Sequence, residues 1–176
     1  MSKLTWWGLA LLLPIAACSN PGPPPPPPMP AQPQVSAQDQ NFAMTAGASD
    51  QFEIQSSQLA LQKSRNPALR RFAQRMVDDH TKTTQQLTSI AQAKGMALQP
   101  QLNGDQQTML SDLQKANGRR FDGMYWRDQV TGHQQAVAAF QGEANDGYDA
   151  DIKSFAQQTL PTIQQHLRMA QRQGRM

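Results

Sequence analysis

Residues 66–95 read NPALRRFAQRMVDDHTKTTQQLTSIAQAKG, and this stretch decides the fold. Asn66-Pro67 places an N-cap residue ahead of a first-turn proline. Phe72, Met76, His80, Thr83, Leu87 and Ile90 then recur at alternating steps of four and three, which puts them on one face of an α-helix. Gly95 supplies a terminator. The stretch predicts one long amphipathic helix over 67–94.

The same reading extends in both directions. Upstream, Phe42, Ala46, Ser49, Glu53, Ser56 and Ala60 predict a helix over 39–64. Downstream, Trp126, Val130, His133, Val137, Phe140 and Ala144 predict a third over 119–144, closed by the turn signal Asn145-Asp146-Gly147. Ile152, Phe155, Thr159, Ile163, His166 and Ala170 predict a fourth over 149–172, in which Pro161 should produce a kink or a split. Between the second and third helices, residues 96–118 form a longer connection. Asp105 could cap a short helix there, containing Met109, Leu110 and Leu113. Val and Ile are sparse and apolar alternation is absent, so no strand is expected. The fold class is all-α: a four-helix bundle over 39–173 with a short extra helix in its middle connection.

Composition limits the partners. The chain has 176 residues, of which 27 are glutamine and only 13 are Asp or Glu. It is polar without being strongly charged. The sequence pI of 9.3 invites a nucleic-acid reading. However, the net charge is +3, and it falls to +2 once Lys3 leaves with the leader described next, so no nucleic-acid partner is expected. One cysteine excludes a disulfide framework and a cysteine-rich metal site.

The N-terminus carries an address. Lys3 precedes the apolar run Leu4–Ile15, too short to span a bilayer permanently and right for a signal-peptide core. Ile15-Ala16-Ala17-Cys18 resembles a bacterial lipobox, so residues 1–17 are read as a lipoprotein signal peptide and Cys18 as the lipidated residue. An ordinary cleavage after Ala17 is the alternative. Lipid chains on Cys18 would anchor the protein to a membrane. Ser19, in place of the aspartate that commonly marks inner-membrane retention, implies the outer membrane, facing the periplasm. Residues 18–38 then form a proline-rich tether, with Pro23–Pro28 as a polyproline II spacer or a ligand for a proline-binding module.

The polar residues on the apolar stripes point to chemistry. The three histidines, His80, His133 and His166, lie on different helices, and Glu53 lies on the remaining one. At 1.5 Å per residue all four fall near mid-helix, so they could meet in one layer. Imidazole and carboxylate ligands suit Zn, Cu, Fe or Mn; hydrogen-bonded core histidines are the alternative. A ferritin-type di-iron centre needs Glu-x-x-His, and Val77, Val130 and Ile163 occupy the required positions. Asp78 and Asp79 are expected to project away from the site. Lys63, Arg65, Arg70, Arg71 and Arg75 gather near the first interhelical turn, as a solvated face with Arg75 paired to Asp79, or as a contact for an anionic envelope polymer. Tyr125, Trp126 and Tyr148 are expected in the core or at its boundary.

A family resemblance rests on particular residues. Phe42 with Glu53-Ile54, then Ala68-x-x-x-Phe72-Ala73-x-x-Met76-Val77-x-Asp79-His80, resembles the domain of unknown function 4142 family. So do Phe121-Asp122-x-x-Tyr125, Gln129-Val130-x-x-His133 and Ala156-x-x-x-Leu160-Pro161-x-x-x-x-His166-Leu167. The resemblance covers about residues 40–172 and implies a ferritin-like helical bundle in a bacterial envelope protein. It carries no established activity.

Two functions follow from different classes. One is a non-enzymatic envelope binding or stress-related module that recognises a protein or an anionic polymer. The other is storage, buffering or sensing of a transition metal through Glu53, His80, His133 and His166. An enzyme ranks third, because no nucleophile or general base stands in a recognisable setting.

Overall fold

The computed structural model describes residues 35–174; the leader, Cys18 and the proline run lie outside the described residues. Among the described residues there are five helices and no strand: α1 (Ala37–Lys63), α2 (Pro67–Ala93), α3 (Gly104–Lys115), α4 (Gly118–Asp146) and α5 (Ala150–Gln173).

The capping residues set these boundaries. Asn66 Oδ1 accepts from the Ala68 and Leu69 N–H groups, and Pro67 occupies the first turn of α2. At the other end Gly95 takes a φ of 62°, and Gly95 N–H and Met96 N–H donate to the Gln92 and Ala91 carbonyls. This is a Schellman closure, which only a residue at ease in the left-handed region forms without strain.

Two local expectations are corrected, and a third is narrowed to one of its alternatives. First, α1 starts at Ala37, because Ser36 accepts from Asp39 N–H and caps it two residues earlier than its apolar pattern suggests. Second, α3 is capped by Asn103, not Asp105. Asn103 and Gln106 satisfy each other's backbone N–H groups in a capping box. Asp105 instead places its charge in the first turn, where the helix dipole favours it. Third, α5 is not split at Pro161. That residue is exposed, as is Gln157 one turn earlier, so water can reach the carbonyl left without a donor.

Contacts fix the directions of the four long helices. The start of α1 meets the end of α4: Asp39 accepts from Tyr148 N–H at 2.9 Å, and Phe42 packs edge-on against Phe140 at 4.9 Å. The end of α1 meets the start of α4, where the Ser57 and Tyr125 hydroxyls are 2.8 Å apart. The end of α2 meets the start of α5, where Lys94 bridges Asp149 and Asp151 at 2.8 and 2.7 Å. Helix α1 is therefore antiparallel to α2 and to α4, and α5 is antiparallel to α4 and to α2. The connection from α2 to α4 must cross the whole length of the bundle. It does so along α1, where α3 packs and the Lys63 ammonium donates to the Ala116 carbonyl at 2.8 Å.

The core has two apolar clusters with a polar layer between them. One gathers Leu69, Phe72, Met76, Leu113, Phe121, Tyr125 and Trp126 near the α1–α2 turn. The other gathers Phe42, Leu87, Phe140, Ile152, Phe155 and Ile163 near the α4–α5 turn. Burial of these side chains, at roughly 1.5–3 kcal/mol each, drives the assembly. Between the clusters lie Asp50, Glu53, His80, Gln129, His133 and His166, all buried. Tyr125 and Trp126 are in the core as expected, whereas Tyr148 is 77% exposed. It follows the end of α4, where its backbone N–H rather than its ring is held, by Asp39.

Candidate metal centre

His80 of α2, His133 of α4 and His166 of α5 meet at the centre of the polar layer. Their ring centroids form a near-equilateral triangle, with separations of 5.7, 5.6 and 5.4 Å. Each ring offers one nitrogen to a common point, and these nitrogens all lie within 4.8 Å of one another.

The nitrogen facing away from that point is held in every case. His80 Nδ1 lies 2.7 Å from Asp50 Oδ1, His133 Nδ1 lies 2.9 Å from the Gln129 carbonyl, and His166 Nε2 lies 3.0 Å from Asp79 Oδ2. All three partners are acceptors, so the held nitrogen carries the proton and the opposite nitrogen keeps its lone pair. Those opposite atoms, His80 Nε2, His133 Nε2 and His166 Nδ1, are buried and have no hydrogen-bond partner among the described residues. An orphaned buried polar atom costs about 1–3 kcal/mol. Three converging on one spot, with each ring oriented from behind by an acceptor, is the donor set a transition metal takes.

A ring of carboxylates surrounds the imidazoles. Asp50 is almost fully buried, and the Thr83 and Thr84 hydroxyls donate to its Oδ2 at 2.9 and 3.1 Å. Glu53 sits beside His133, with Oε1 3.5 Å from Nδ1, while its Oε2 accepts from the Gln129 amide. Glu53 is thus next to the histidine cluster, on the side of His133 away from the shared point. Carboxylates around the imidazoles would offset the charge of a buried cation.

The electrostatics divide the histidines. Burial, reinforced by the charges of His80 and His166, holds His133 well below the usual histidine range. Burial and then His80 push His166 down to about 4. His80 is also opposed by burial, but its bond to Asp50 and the nearby carboxylates outweigh that and raise it. Burial pushes Glu53 up to about 7, against the pull of His80 and Gln129. His133 and His166 are therefore neutral at pH 7, the form in which imidazole ligates.

Asp79 differs from its expected position. It neighbours His80 but points about 100° further round the helix, toward α5, where it meets His166. Its other partner is Lys82, at 3.7 Å, in place of the expected Arg75. Asp78 does stay outside, where Gln74 donates to it at 2.9 Å. Four of the five basic residues near the first turn fall into two groups. Lys63 and Arg70 are taken up by backbone carbonyls, those of Ala116 and Ser64 among them. Arg71 and Arg75 instead line a groove that also holds Arg172. Asp50 and Gln129 are site residues that sequence reasoning missed. Asp50 lies three residues before Glu53, and that spacing on a glutamine-rich helix was the available signal.

Solved structures with the same fold are found. A DUF305 fragment from Deinococcus radiodurans superposes at a TM-score of 0.73 with 15% identity, covering 82% of this chain and 100% of that one. A DUF305 protein from Streptomyces coelicolor gives 0.67 and 12%, covering 76% and 89%. CopM in its Cu(II)-bound form gives 0.63 and 19%, covering 78% and 95%. CopM is also solved in Cu(I)-bound and Ag-bound forms. At these identities the likeness is one of fold. No curated protein matches the sequence. The family profile described as "Domain of unknown function (DUF4142)" matches residues 24–172, and the chain belongs to that family.

Proposed function

We propose that this protein binds a transition metal, copper foremost, at His80, His133 and His166, and that it stores, buffers or senses the ion. The observation that carries this reading is the set of three buried, unpartnered imidazole nitrogens directed at one point, each on a ring held from behind by an acceptor. Neutral imidazole suits Cu and Zn, and Cu(II) stands highest in the divalent affinity order. The copper- and silver-bound forms of CopM, a protein of the same fold, support the choice of copper. Glu53 contributes charge and holds the layer together. Fe and Mn prefer a richer set of carboxylate ligands than this centre offers. We take the four long helices as a ferritin-like four-helix bundle that lacks the ferritin carboxylates.

We further propose that the domain works in the bacterial envelope. Lipidation at Cys18 would tether it through the proline-rich segment to the outer membrane, with the bundle in the periplasm. The lipobox-like sequence at residues 15–18 supports this.

The test of metal binding is elemental analysis of the untagged full chain, with titration by Cu(II) and Zn(II). We expect one ion per chain, lost in a His133→Ala variant that still melts cooperatively. No ion in the wild type after incubation with each metal would refute the proposal.

A further inference from the structure

We infer that Asp79, with His166 behind it, is the doorway by which a cation reaches the histidine centre, through the seam between α2 and α5. The inference rests on the metal-binding reading above. The three partners that hold the imidazoles from behind differ in one respect. Asp50 is 5% exposed at its side chain, and the Gln129 carbonyl lies inside α4; Asp79 is 29% exposed. Asp79 is thus the one of these acceptors that touches a ligand histidine and solvent together. Its surface partner Lys82 is exposed, at a separation of 3.7 Å. Such a pair contributes little and yields readily to an incoming cation.

The packing selects the same seam. Of the adjacent pairs of long helices, α2 and α5 are the least closely packed. A groove opens on that seam on either side of Asp79 and His166. One has a volume of about 500 Å³ and is lined by Gln86, Ser89, Asp151, Phe155 and Gln158. The other, of about 290 Å³, is lined by Arg71, Arg75 and Arg172 along with apolar side chains. The guanidinium groups of the second groove repel a cation, so approach is from the first. The Asp79–His166 contact separates the two grooves. An ion held by Asp79 is one hydrogen bond away from His166, and rotation of that ring delivers it to His80 and His133. Asp79 acts here through charge and position; the ligands remain the imidazoles.

The test is stopped-flow mixing of the untagged full chain with Cu(II) ion, followed by tryptophan quenching. Trp126 packs on Phe72, which itself lies 6.5 Å from the His133 ring, so its emission senses the centre. Asp79→Asn keeps an acceptor for His166 and removes the charge. We expect loading at least tenfold slower, while the final copper content stays at the wild-type level. Asp78→Asn, an exposed carboxylate one residue earlier that lies outside the site, should load at the wild-type rate. Wild-type loading by Asp79→Asn, or equal slowing by both variants, would overturn the doorway while leaving the site standing. No copper uptake by the wild type would overturn both the reading and the inference.

Discussion

Replacing Asp50 by alanine should separate the architecture of the site from its metal chemistry. Asp50 accepts from His80 Nδ1 at 2.7 Å within the buried layer, and from the hydroxyls of the half-buried Thr83 and Thr84. The hydroxyls have a fallback, because the His80 carbonyl lies 3.0 and 2.8 Å from them. The imidazole has none. Loss of a charged hydrogen bond costs about 1.5–3 kcal/mol, and the buried N–H left unpaired makes the upper half of that range the expectation for the metal-free protein. Loss of an orienting carboxylate behind a ligand histidine lowers metal affinity by about 10–100-fold. At free copper 1,000 times the wild-type dissociation constant, the wild type should gain about 4 kcal/mol from the metal. The variant, then at 10–100 times its own constant, should gain only about 1.4–2.7 kcal/mol. Urea unfolding with and without Cu(II) measures both quantities. Equal stabilisation of variant and wild type by copper would refute the role assigned to Asp50.

Two further perturbations probe the fold itself. Burial, and then the adjacent Asp39 carboxyl, push Glu143 up to about 7 from an ordinary 4.5. A raised value means that the folded state binds this proton more tightly, so the stabilisation is complete below pH 4.5 and is lost as pH rises through 7. Glu143→Gln should therefore be more stable than the wild type at pH 8, by of order 1–3 kcal/mol, and indistinguishable from it near pH 4.5; parallel pH profiles of the denaturation midpoint would contradict this. Pro161→Ala should raise the thermal midpoint, because it restores an α5 backbone donor and removes a residue that costs up to about 3 kcal/mol in a helix interior; an unchanged or lower midpoint would mean that α5 already accommodates the ring at no cost.

The helices were legible because their punctuation is local. Asn66-Pro67 and Gly95 act within a turn of where they stand, and the structure uses them as read. The α3 cap was less legible, since Asn103 and Asp105 are both capping types and only the reciprocal partner Gln106 separates them. The three histidines were legible from their stripes, because a 3.6-residue period reports which face looks inward. Their partners were not. Asp50 lies on a helix whose buried face includes alanine, serine and glycine, so no apolar contrast marks its edge. Asp79 follows Asp78 on a polar face, and only the placement of α5 turns one of the two into a contact for His166. A period fixes a direction from one helix axis; what waits there depends on the neighbour.

The crossing connection makes the bundle two helical hairpins joined by a long strap. Each hairpin holds an incomplete set: α1–α2 brings Asp50, Glu53 and His80, and α4–α5 brings His133 and His166. A single cut in the strap between α2 and α3 would convert the one chain into a complementing pair of fragments. Their association would then carry the free energy of metal binding as well as that of burial. In such a split protein copper would act as a dimeriser, and the strength of fragment pairing would report the free ion concentration.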